Sequence, residues 1–441
     1  MSFIADKQTL EDMNLLGRYN QHSIFNLFNK VKTAGGEKLL QEMFQTPLTD
    51  PELINKRSET FQYFQSRHTA FPFSNEQFDA MGNYLSGTSG KFFPRILLSL
   101  AYKKLLATIV RDEEYPKIQS GLRQTIAVLY QCKTFISQLE EEQQQHPFYD
   151  ELQTVKNILN QPKLQWLEKV QIGGAPYSIQ ITARYDHLLR YTLRSALQTV
   201  MNIFYMLDVY LAVANLAKDK SFSYAKALPN AANIFSATGL RHPNINKAVA
   251  NPVSFHKDSN LIFLTGANMA GKSTFMKAFG INLYLAHMGF PVAASDMEFS
   301  VKQGIYTSIN VPDNLDMGLS HFYAEVLRVK KVAEEVSNGK NLVIIFDELF
   351  KGTNVKDAYD ATLAVTAAFS EYRNCLFIVS THIIEAGEIL KQQSNIQSLY
   401  LPTIMNGSVP TYTYQLQQGI SADRHGMMII ENEGILELLE N

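Results

Sequence analysis

Apolar residues recur at two different periods along this chain of 441 residues. From Thr9 to about Ala225 they recur mostly every three or four positions, as in residues 96–106 and 118–139. This period is typical of amphipathic helices that bury one face. We therefore predict a mostly helical first half.

The pattern changes near residue 235. Short apolar runs at residues 261–264, 342–346 and 376–379 alternate with helical stretches, such as residues 272–287 and 357–369. This alternation is typical of a mainly parallel sheet with helices packed on it. The segment 228–233, which contains Pro229 and two asparagines, is a suitable boundary. We accordingly divide the chain into a helical domain, 1–232, and an α/β domain, 233–441.

One helical stretch, residues 195–217, is apolar enough to raise the question of a membrane span. It carries Asp208 near its centre, and a charge there costs about 3 kcal/mol in a membrane. The buried core helix is therefore the favoured interpretation over a true span. The first residues lack a basic region followed by an apolar stretch, so no signal peptide is expected.

Composition and charge narrow the class of protein. Hydrophobic residues make up 46% and charged residues 19%, which excludes a low-complexity or disordered chain. Two cysteines, Cys132 and Cys375, exclude a disulfide framework and favour a reducing compartment, so we expect a cytoplasmic protein without membrane partners. The net charge of −2 does not suit a strongly basic nucleic-acid binder, although it leaves room for a local basic groove.

The strongest chemical signal is a glycine-rich segment directly after the apolar run that begins at Leu261. Residues 266–274 fit G-x-x-x-x-G-K-[ST] and lead from a predicted strand into a predicted helix, the context in which this pattern binds phosphate. Gly266 and Gly271 let the backbone direct N–H groups at phosphate oxygens. Lys272 is expected to reach the β- and γ-phosphates, and Ser273 to offer its hydroxyl to Mg²⁺.

Two further apolar runs end in side chains suited to nucleotide hydrolysis. Asp347 and Glu348 follow the run 342–346. Asp347 is expected to hold Mg²⁺ through water, and Glu348 to polarise the attacking water as a general base. His382 follows the run 376–379 and is the expected γ-phosphate sensor. No Cys/His cluster or Ser/His/Asp arrangement in the sequence suggests a transition-metal site or a hydrolase triad.

The segment TGANMAGKST, residues 265–274, resembles the ATPase loop of the MutS family of DNA mismatch repair proteins, because ordinary phosphate loops do not usually carry the Asn268-Met269 pair. The resemblance continues, in the family's order, through residues 239–243, 289–294, 305–309, 313–315, 318–325, 347–353, 380–382 and 414–426. Less specifically, residues 9–15, 32–40 and 47–50 resemble the start of the family's helical core domain. The resemblance covers residues 1 to about 65 and 190 to 441, and the middle has no distinctive match.

This resemblance implies an all-helical core or lever domain followed by an ABC-like P-loop NTPase domain, that is, an α plus α/β fold. It implies a homodimer through the ATPase domain, in which Ser320 of a second subunit closes the site. Tyr414 would stack on adenine. ATP and Mg²⁺ are the implied ligands, and the loop residues expected to bind them are Gly266, Ala267, Asn268, Met269, Ala270, Gly271, Lys272, Ser273 and Thr274.

Some family features are not found in this sequence. We expect no mismatch-recognition or connector domain, a reduced or missing DNA clamp, and no helix-turn-helix after the closing motif. Within the motifs, Ala267, Ala270, His321 and Lys351 replace Pro, Gly, Thr and Arg. None of these changes removes a catalytic group, but a lysine at 351 loses the bidentate geometry of arginine.

The sequence thus predicts a Mg²⁺-dependent ATPase that couples nucleotide state to DNA binding, in mismatch repair or in recognition of branched DNA. The alternative is a nucleotide-gated protein-interaction module without a DNA role. A basic stripe along the helices would separate the two, and the candidate cations lie scattered among acids, at Lys103, Lys104, Arg111, Lys117, Arg123, Lys133, Lys156, Lys163 and Lys169. A third class, the ABC-type or chromosome-maintenance ATPases, is disfavoured because residues 318–321 replace its Ser-Gly-Gly signature.

Overall fold

The computed structural model describes residues 3–17, 22–67, 69–87, 89–140, 146–169, 176–309, 321–406, 409–421 and 438. The chain forms two compact units, and each is discontinuous in sequence. The sheet unit comprises Met1–Phe28, Met43–Ser58 and Ala217–Asn441, and the helical unit comprises Asn29–Glu42 and Glu59–Leu216.

The described α-helices are numbered in chain order as α1 (Lys7–Asp12), α2 (Ile24–Phe28), α3 (Ala34–Gln45), α4 (Pro51–Ser66), α5 (Asn75–Ser86), α6 (Phe93–Ile109), α7 (Glu114–Glu140), α8 (Tyr149–Leu159), α9 (Ile179–His187), α10 (Arg194–Asp219), α11 (Lys272–His287), α12 (His321–Ser337), α13 (Val355–Ser370) and α14 (Ile384–Leu390). Two 3₁₀ segments span Pro162–Lys169 and Asn230–Ala232, and a π-helical turn spans Leu188–Thr192.

The described strands are β1 (Ile4–Ala5), β2 (Ser223–Tyr224), β3 (Lys226–Leu228), β4 (Phe235–Leu240), β5 (Asn251–Phe255), β6 (Leu261–Gly266), β7 (Pro291–Val292), β8 (Asp296–Ser300), β9 (Gly304–Ser308), β10 (Leu342–Phe346), β11 (Leu376–Ser380), β12 (Ile396–Leu401), β13 (Thr403–Asn406), β14 (Val409–Tyr412) and β15 (Gln417–Gln418).

The main sheet of the sheet unit has seven strands in the order β1-β9-β10-β11-β6-β12-β15. Every neighbouring pair is parallel except β12 and β15. Strands β10 and β11 are buried along their whole length, and their apolar side chains join one core with residues of α12 and α13. Continuous apolar strands of this kind suit a parallel sheet that is covered by helices. The predicted mainly parallel sheet is confirmed.

A second sheet of four strands, in the order β3-β8-β4-β5, lies in the same unit. It is mixed, since β3 pairs with β8 in parallel and the other pairs are antiparallel. Strands β2 and β7 form a separate antiparallel pair, and so do strands β13 and β14. The region 228–233, which the sequence indicated as a boundary, therefore lies inside the sheet unit, with β3 before it and β4 after it.

The first residues of the chain belong to the sheet unit. Strand β1 pairs with β9, with Ile4 opposite Gly304. The buried guanidinium of Arg328 donates to the Asp6 carboxylate and also, at 2.6 Å, to the Thr307 carbonyl. The predicted division placed these first residues in the helical domain, 1–232, because the pattern from Thr9 to about Ala225 is mostly helical. A two-residue strand has no detectable period of its own.

The ion pairs at Asp6 fix the charge of this segment. Burial alone would raise the pKa of the Asp6 carboxyl, but hydrogen bonds from Arg328 and Lys331 outweigh it and hold that pKa well below its usual range. The Lys331 ammonium lies 2.9 Å from the Asp6 carboxylate. Asp6 is therefore ionised in the folded protein throughout the neutral pH range.

The helical unit is centred on long helices with one buried apolar face. Helix α10 is the one helix among the described residues whose length and composition would suffice to cross a membrane, with a mean hydropathy of 1.5. That apolar window is 72% buried inside the protein, as in the core helices of globular proteins. The finding agrees with the favoured interpretation of this stretch as a core helix.

Asp208, the charge near the middle of α10, is 1% exposed and fully engaged. Its carboxylate accepts hydrogen bonds from the Thr33 backbone N–H at 2.8 Å, the Thr33 hydroxyl at 2.7 Å and the Lys32 N–H at 3.0 Å. The Thr33 hydroxyl in turn accepts from the Gly36 N–H at 3.0 Å, at the start of α3. A buried carboxylate with this many donors fixes where the chain enters α3.

We predict that Asp208→Ala lowers the free energy of unfolding by about 3 kcal/mol, because it leaves buried backbone N–H groups of Lys32 and Thr33 without an acceptor. Chemical denaturation followed by circular dichroism measures the change. Asp219→Ala, at an exposed position near the end of the same helix, is the matched control, with an expected loss below about 0.5 kcal/mol. Equal losses in the two variants would contradict the assignment of Asp208 as a structural acceptor.

A second prediction concerns acid. A carboxyl whose folded-state pKa is depressed stabilises the fold above its unfolded pKa, about 3.9, and loses that contribution as pH falls through lower values. The stability of the wild-type chain should therefore fall more steeply below about pH 4 than that of Asp6→Asn, whose side chain does not titrate. The free energy of unfolding is measured by urea denaturation at each pH. If it falls equally with pH in the wild type and in Asp6→Asn, the ion pairs of Asp6 contribute nothing to acid sensitivity.

Candidate functional site

The glycine-rich loop, defined as residues 266–274, connects β6 to α11. Gly266 has φ 144° and Gly271 has φ 101°, a region that L-amino acids rarely adopt. A Cβ atom on Gly266 would lie 3.0 Å from the Leu401 carbonyl oxygen, and one on Gly271 would lie 2.9 Å from the ring of Tyr414. Both positions therefore need glycine for conformation and for space, and the loop backbone forms a cradle in front of the first turn of α11.

Lys272 points into this cradle. Its side chain is almost fully buried, and its ammonium donates to the carbonyl oxygens of Gly266 at 2.8 Å and Ala267 at 3.1 Å. Burial lowers the pKa of Lys272, while the carboxylates of Asp347 and Glu348 raise it. A cation held inside a ring of backbone groups at a helix N-terminus is suited to bind an anion such as phosphate.

Asp347 joins three chain segments. It follows β10, and its carboxylate accepts hydrogen bonds from Ser273, at 2.5 Å in the first turn of α11, and from Ser380 at the end of β11. The Ser380 hydroxyl also accepts from the Glu348 N–H at 3.3 Å. The structure thus brings the predicted residues Ser273 and Asp347 into direct contact, beyond the carboxyl ends of β6 and β10, the two parallel strands on either side of β11.

Glu348 lies between two side chains that contact its carboxylate, those of His382 and Lys351. His382 Nε2 is 2.8 Å from one of its carboxylate oxygens, and the Lys351 ammonium is 2.9 Å from the other. The hydrogen bond with His382 is the largest cause that lowers the pKa of Glu348, with Lys351 adding to it and burial opposing it, so that the pKa lies at about 2. Glu348 is therefore a carboxylate, and only an acceptor, throughout the neutral pH range.

The turn after Glu348 is stabilised by a hydrogen bond to the side chain of Glu325. Glu348 and Phe350 have φ values of 52° and 63°, which are unusual for residues other than glycine. The buried carboxylate of Glu325, on α12, accepts a hydrogen bond from the Phe350 N–H at 2.7 Å. This contact helps to hold the strained turn that presents Glu348.

A cavity of about 360 Å³ adjoins the glycine-rich loop. Its walls include Gly271, Thr274 and the ring of Tyr414, which is 45% exposed. The Asn251 side chain fixes this wall, since it donates to the Tyr414 carbonyl at 2.9 Å and accepts from the Leu416 N–H at 2.7 Å. His242 lies in the same wall, and burial, with the charge of Lys277, lowers its pKa to about 4. The cavity has the size and the flat apolar wall that an aromatic base requires.

The remaining predicted residues lie at different places. Asn268 and Met269 are exposed at the tip of the loop, and Met269 is 76% exposed with φ 66°, whereas Ala270 is buried under it. Ser320 lies outside the described residues, as does Gly426 of the closing motif, so their predicted roles stay predictions.

Sequence reasoning did not assign a site role to Ser380, Glu325 or Asn251. Ser380 and Glu325 stand inside segments that carried the family resemblance, but their partners, Asp347 and Phe350, belong to other elements. Asn251 lies in β5, and no motif marked it. All of these contacts depend on which elements are neighbours in space.

The candidate basic residues of the helical unit are partly neutralised. The Lys103 ammonium lies 2.9 Å from the Glu114 carboxylate. The Lys117 ammonium lies 2.8 Å from Glu113, and that of Lys133 lies 2.5 Å from Glu168. Such exposed pairs are typical of solvated helix faces. They pair three of the candidate cations with acidic side chains.

The site has the donors for a hard divalent cation. The Ser273 hydroxyl and the Asp347 carboxylate supply oxygen ligands, which Mg²⁺ prefers. The described residues contain no group of three His, Cys, Asp or Glu side chains of the kind that would hold a transition metal. The residues present therefore fit Mg²⁺ beside a phosphate.

The sequence matches two family models. Residues 8–214 match MutS domain III, and residues 262–438 match MutS domain V, so that the two matches together cover most of the chain. In the family, which acts in DNA mismatch repair, domain V carries the nucleotide site, and members in general bind DNA and dimerise. The glycine-rich loop, Asp347, Glu348 and His382 all lie within the domain V match. This chain belongs to the MutS family.

Proposed function

We propose that the chain is a Mg²⁺-dependent ATPase that hydrolyses ATP to ADP and phosphate and couples its nucleotide state to DNA binding in the cytoplasm. The observation that carries the proposal is the contact between Ser273 and Asp347 beside the cradle that encloses Lys272. A hydroxyl, a carboxylate and a buried ammonium at one helix N-terminus are the set that a nucleoside triphosphate with its metal requires.

Four residues of the chain would bind or orient the phosphates and the Mg²⁺. Lys272 would exchange its two carbonyl partners for the β- and γ-phosphate oxygens, with the loop N–H groups around it. Ser273 and Asp347 would hold the Mg²⁺, whose charge offsets that of the phosphates. Ser380 keeps the Asp347 carboxylate turned toward Ser273 by its own hydrogen bond.

Glu348 would orient the attacking water. Because its pKa is about 2, it is always ionised at neutral pH and accepts a hydrogen bond from water without first losing a proton. His382 contacts the same carboxylate, and its ring would report whether a γ-phosphate is present by exchanging Glu348 for a phosphate oxygen. The Lys351 ammonium keeps the Glu348 side chain in one position.

The base of ATP would enter the cavity of about 360 Å³ and stack on Tyr414. The volume suits a purine with its ribose, and the contact of Tyr414 with Gly271 places the ring next to the phosphate cradle. Ser320 of a second subunit would complete the site, so the active form would be a homodimer and hydrolysis would depend on protein concentration.

The DNA role is supported by membership of the family, and mismatched or branched duplexes are the proposed substrates. The alternative is a nucleotide-gated protein-interaction module. The ion pairs of Lys103, Lys117 and Lys133 favour this alternative, because they neutralise three of the cations that a DNA-binding stripe would use.

We predict that Glu348→Gln lowers kcat for ATP hydrolysis by about a hundredfold or more, because an amide does not accept a proton from water, while the Kd for ATP changes little. Steady-state hydrolysis is measured against protein concentration with no DNA, homoduplex, mismatched duplex and four-way junction. Glu388→Gln, an exposed position on α14, is the matched control and should retain wild-type rates.

Each outcome of this experiment is informative. A wild-type rate in Glu348→Gln would contradict the assigned role. Hydrolysis that depends on Glu348 and responds to one DNA form identifies the substrate. Hydrolysis that depends on Glu348 but ignores every DNA supports the protein-interaction alternative. A specific rate that stays constant on dilution to concentrations at which the protein is monomeric would exclude the site shared between subunits.

A further prediction concerns pH. Removing Lys351 takes away a hydrogen bond and a positive charge that lower the pKa of Glu348, so Lys351→Ala should raise that pKa from about 2 toward the ordinary value, about 4.3. Since only the ionised form orients water, kcat/KM of the variant should decline at higher pH than that of the wild-type enzyme as the solution is acidified. Lys351→Arg keeps the charge and should retain the wild-type profile. Superimposable profiles for Lys351→Ala and wild type would show that the ion pair does not tune Glu348.

A further inference from the structure

A second cavity, of about 290 Å³, lies in the helical unit. It is formed by the 3₁₀ segment Pro162–Lys169 and the end of α9 with the π-helical turn that follows. The side chains in its wall are Lys163, Trp166, Arg184, Tyr185, His187, Leu188 and Thr192. All of them except Thr192 belong to the part of the sequence that showed no distinctive motif, and the ATPase proposal uses none of them.

The wall contains a fixed aromatic platform. The rings of Trp166 and Tyr185 are stacked, with centroids 3.8 Å apart and planes inclined by 13°. The Trp166 indole N–H donates to the Lys163 carbonyl at 2.7 Å, and Tyr177 packs its edge on Tyr185 at 5.9 Å. The orientation of the indole is therefore set by the protein before any ligand binds.

A second stacked pair borders the first. The His187 ring lies 5.1 Å from that of Tyr191, with planes inclined by 13°. His187 also lines the cavity, so aromatic side chains from both stacked pairs lie in its wall. Flat aromatic surfaces of this kind bind nucleobases by stacking, which contributes about 1–3 kcal/mol per base.

The charge of the wall is positive. Lys163 and Arg184 are exposed and carry the ionic groups, and no carboxylate occurs among the described residues that line the cavity. The nearest acid along the 3₁₀ segment, Glu168, is paired with Lys133 at 2.5 Å. An anionic ligand would therefore meet no repulsion from these lining residues.

The π-helical turn shapes the opening. After α9 the backbone widens over Leu188–Thr192, and the Leu193 N–H donates to the Leu188 carbonyl at 2.8 Å. Wide turns of this type are rare and frequently occur at functional sites. Here the turn places Leu188 and Thr192 in the wall beside His187.

We propose that this cavity binds a nucleotide, either free or within a single strand of nucleic acid. The base stacks on the platform of Trp166 and Tyr185, and Lys163 and Arg184 hold the phosphate. An apolar ligand would leave the two cations unused, and the bases of an intact duplex are stacked on each other and do not reach the platform. The proposal does not depend on ATP hydrolysis by the sheet unit.

The sequence supplies a direct reporter, because Trp166 is the single tryptophan of the chain. The protein carries Lys272→Ala in this experiment, so that binding at the glycine-rich loop is removed. Its tryptophan fluorescence is followed during titration with thymidine monophosphate, adenosine monophosphate, a short oligothymidylate, and a duplex of the same length. We expect saturable quenching, because stacking of a base on the indole quenches its emission.

Variants at exposed positions test the phosphate contacts without disturbing the core. Arg184→Ala and Lys163→Ala should each weaken binding about tenfold, as expected for loss of a hydrogen bond to a charged group. Lys156→Ala, which removes an exposed cation on α8 outside the cavity wall, should bind as the parent does. Circular dichroism checks that each variant is folded.

The outcomes separate the sources of the ligand. Quenching by a monophosphate supports a free nucleotide, and quenching by the oligothymidylate alone supports a single strand. The proposal is overturned if no probe quenches Trp166, if the duplex quenches as well as the single strand, or if Arg184→Ala and Lys163→Ala both bind like Lys156→Ala.

Discussion

The carboxylate of Asp347 is the point on which the candidate site depends. It accepts hydrogen bonds from Ser273 and Ser380, which come from the loop after β6 and from the end of β11. This meeting follows from parallel pairing, since the carboxyl ends of β10, β11 and β6 lie at one edge of the sheet. The groups that would hold a metal and a phosphate are therefore oriented by the protein itself, and a ligand does not have to organise them.

Much of this arrangement could be predicted from local sequence, where the physical signals are strong. The bounds of β10 agree with the prediction because its apolar run ends at two acidic residues. The start of α11 agrees because Gly271 precedes the helix. Lys272 and Asp347 were assigned from the same signals. The contact of Ser380 with Asp347 could not be predicted in this way, because it requires β11 to pair with β10, and strand order is a tertiary property.

The helical unit shows the same limit in a different form. The sequence marked Asp208 as a polar interruption of an apolar helix, which excluded a simple membrane span, but it did not indicate the partners Lys32 and Thr33, which lie far away in sequence. The stacking of Trp166 on Tyr185 joins a 3₁₀ segment to α9 across a part of the chain that is not described. Neither residue belongs to a sequence motif, so their stacking could be found only in the structure.

The pairing of β1 with β9 has a consequence for biosynthesis. Ile4 leaves the ribosome about 300 residues before its partner Gly304, which makes this a contact of very high sequence separation. At 5–20 residues per second, this segment waits for roughly tens of seconds before its strand can pair. The helical unit, whose residues are complete by Leu216, has time to fold first, and closure of the edge of the main sheet is among the last events.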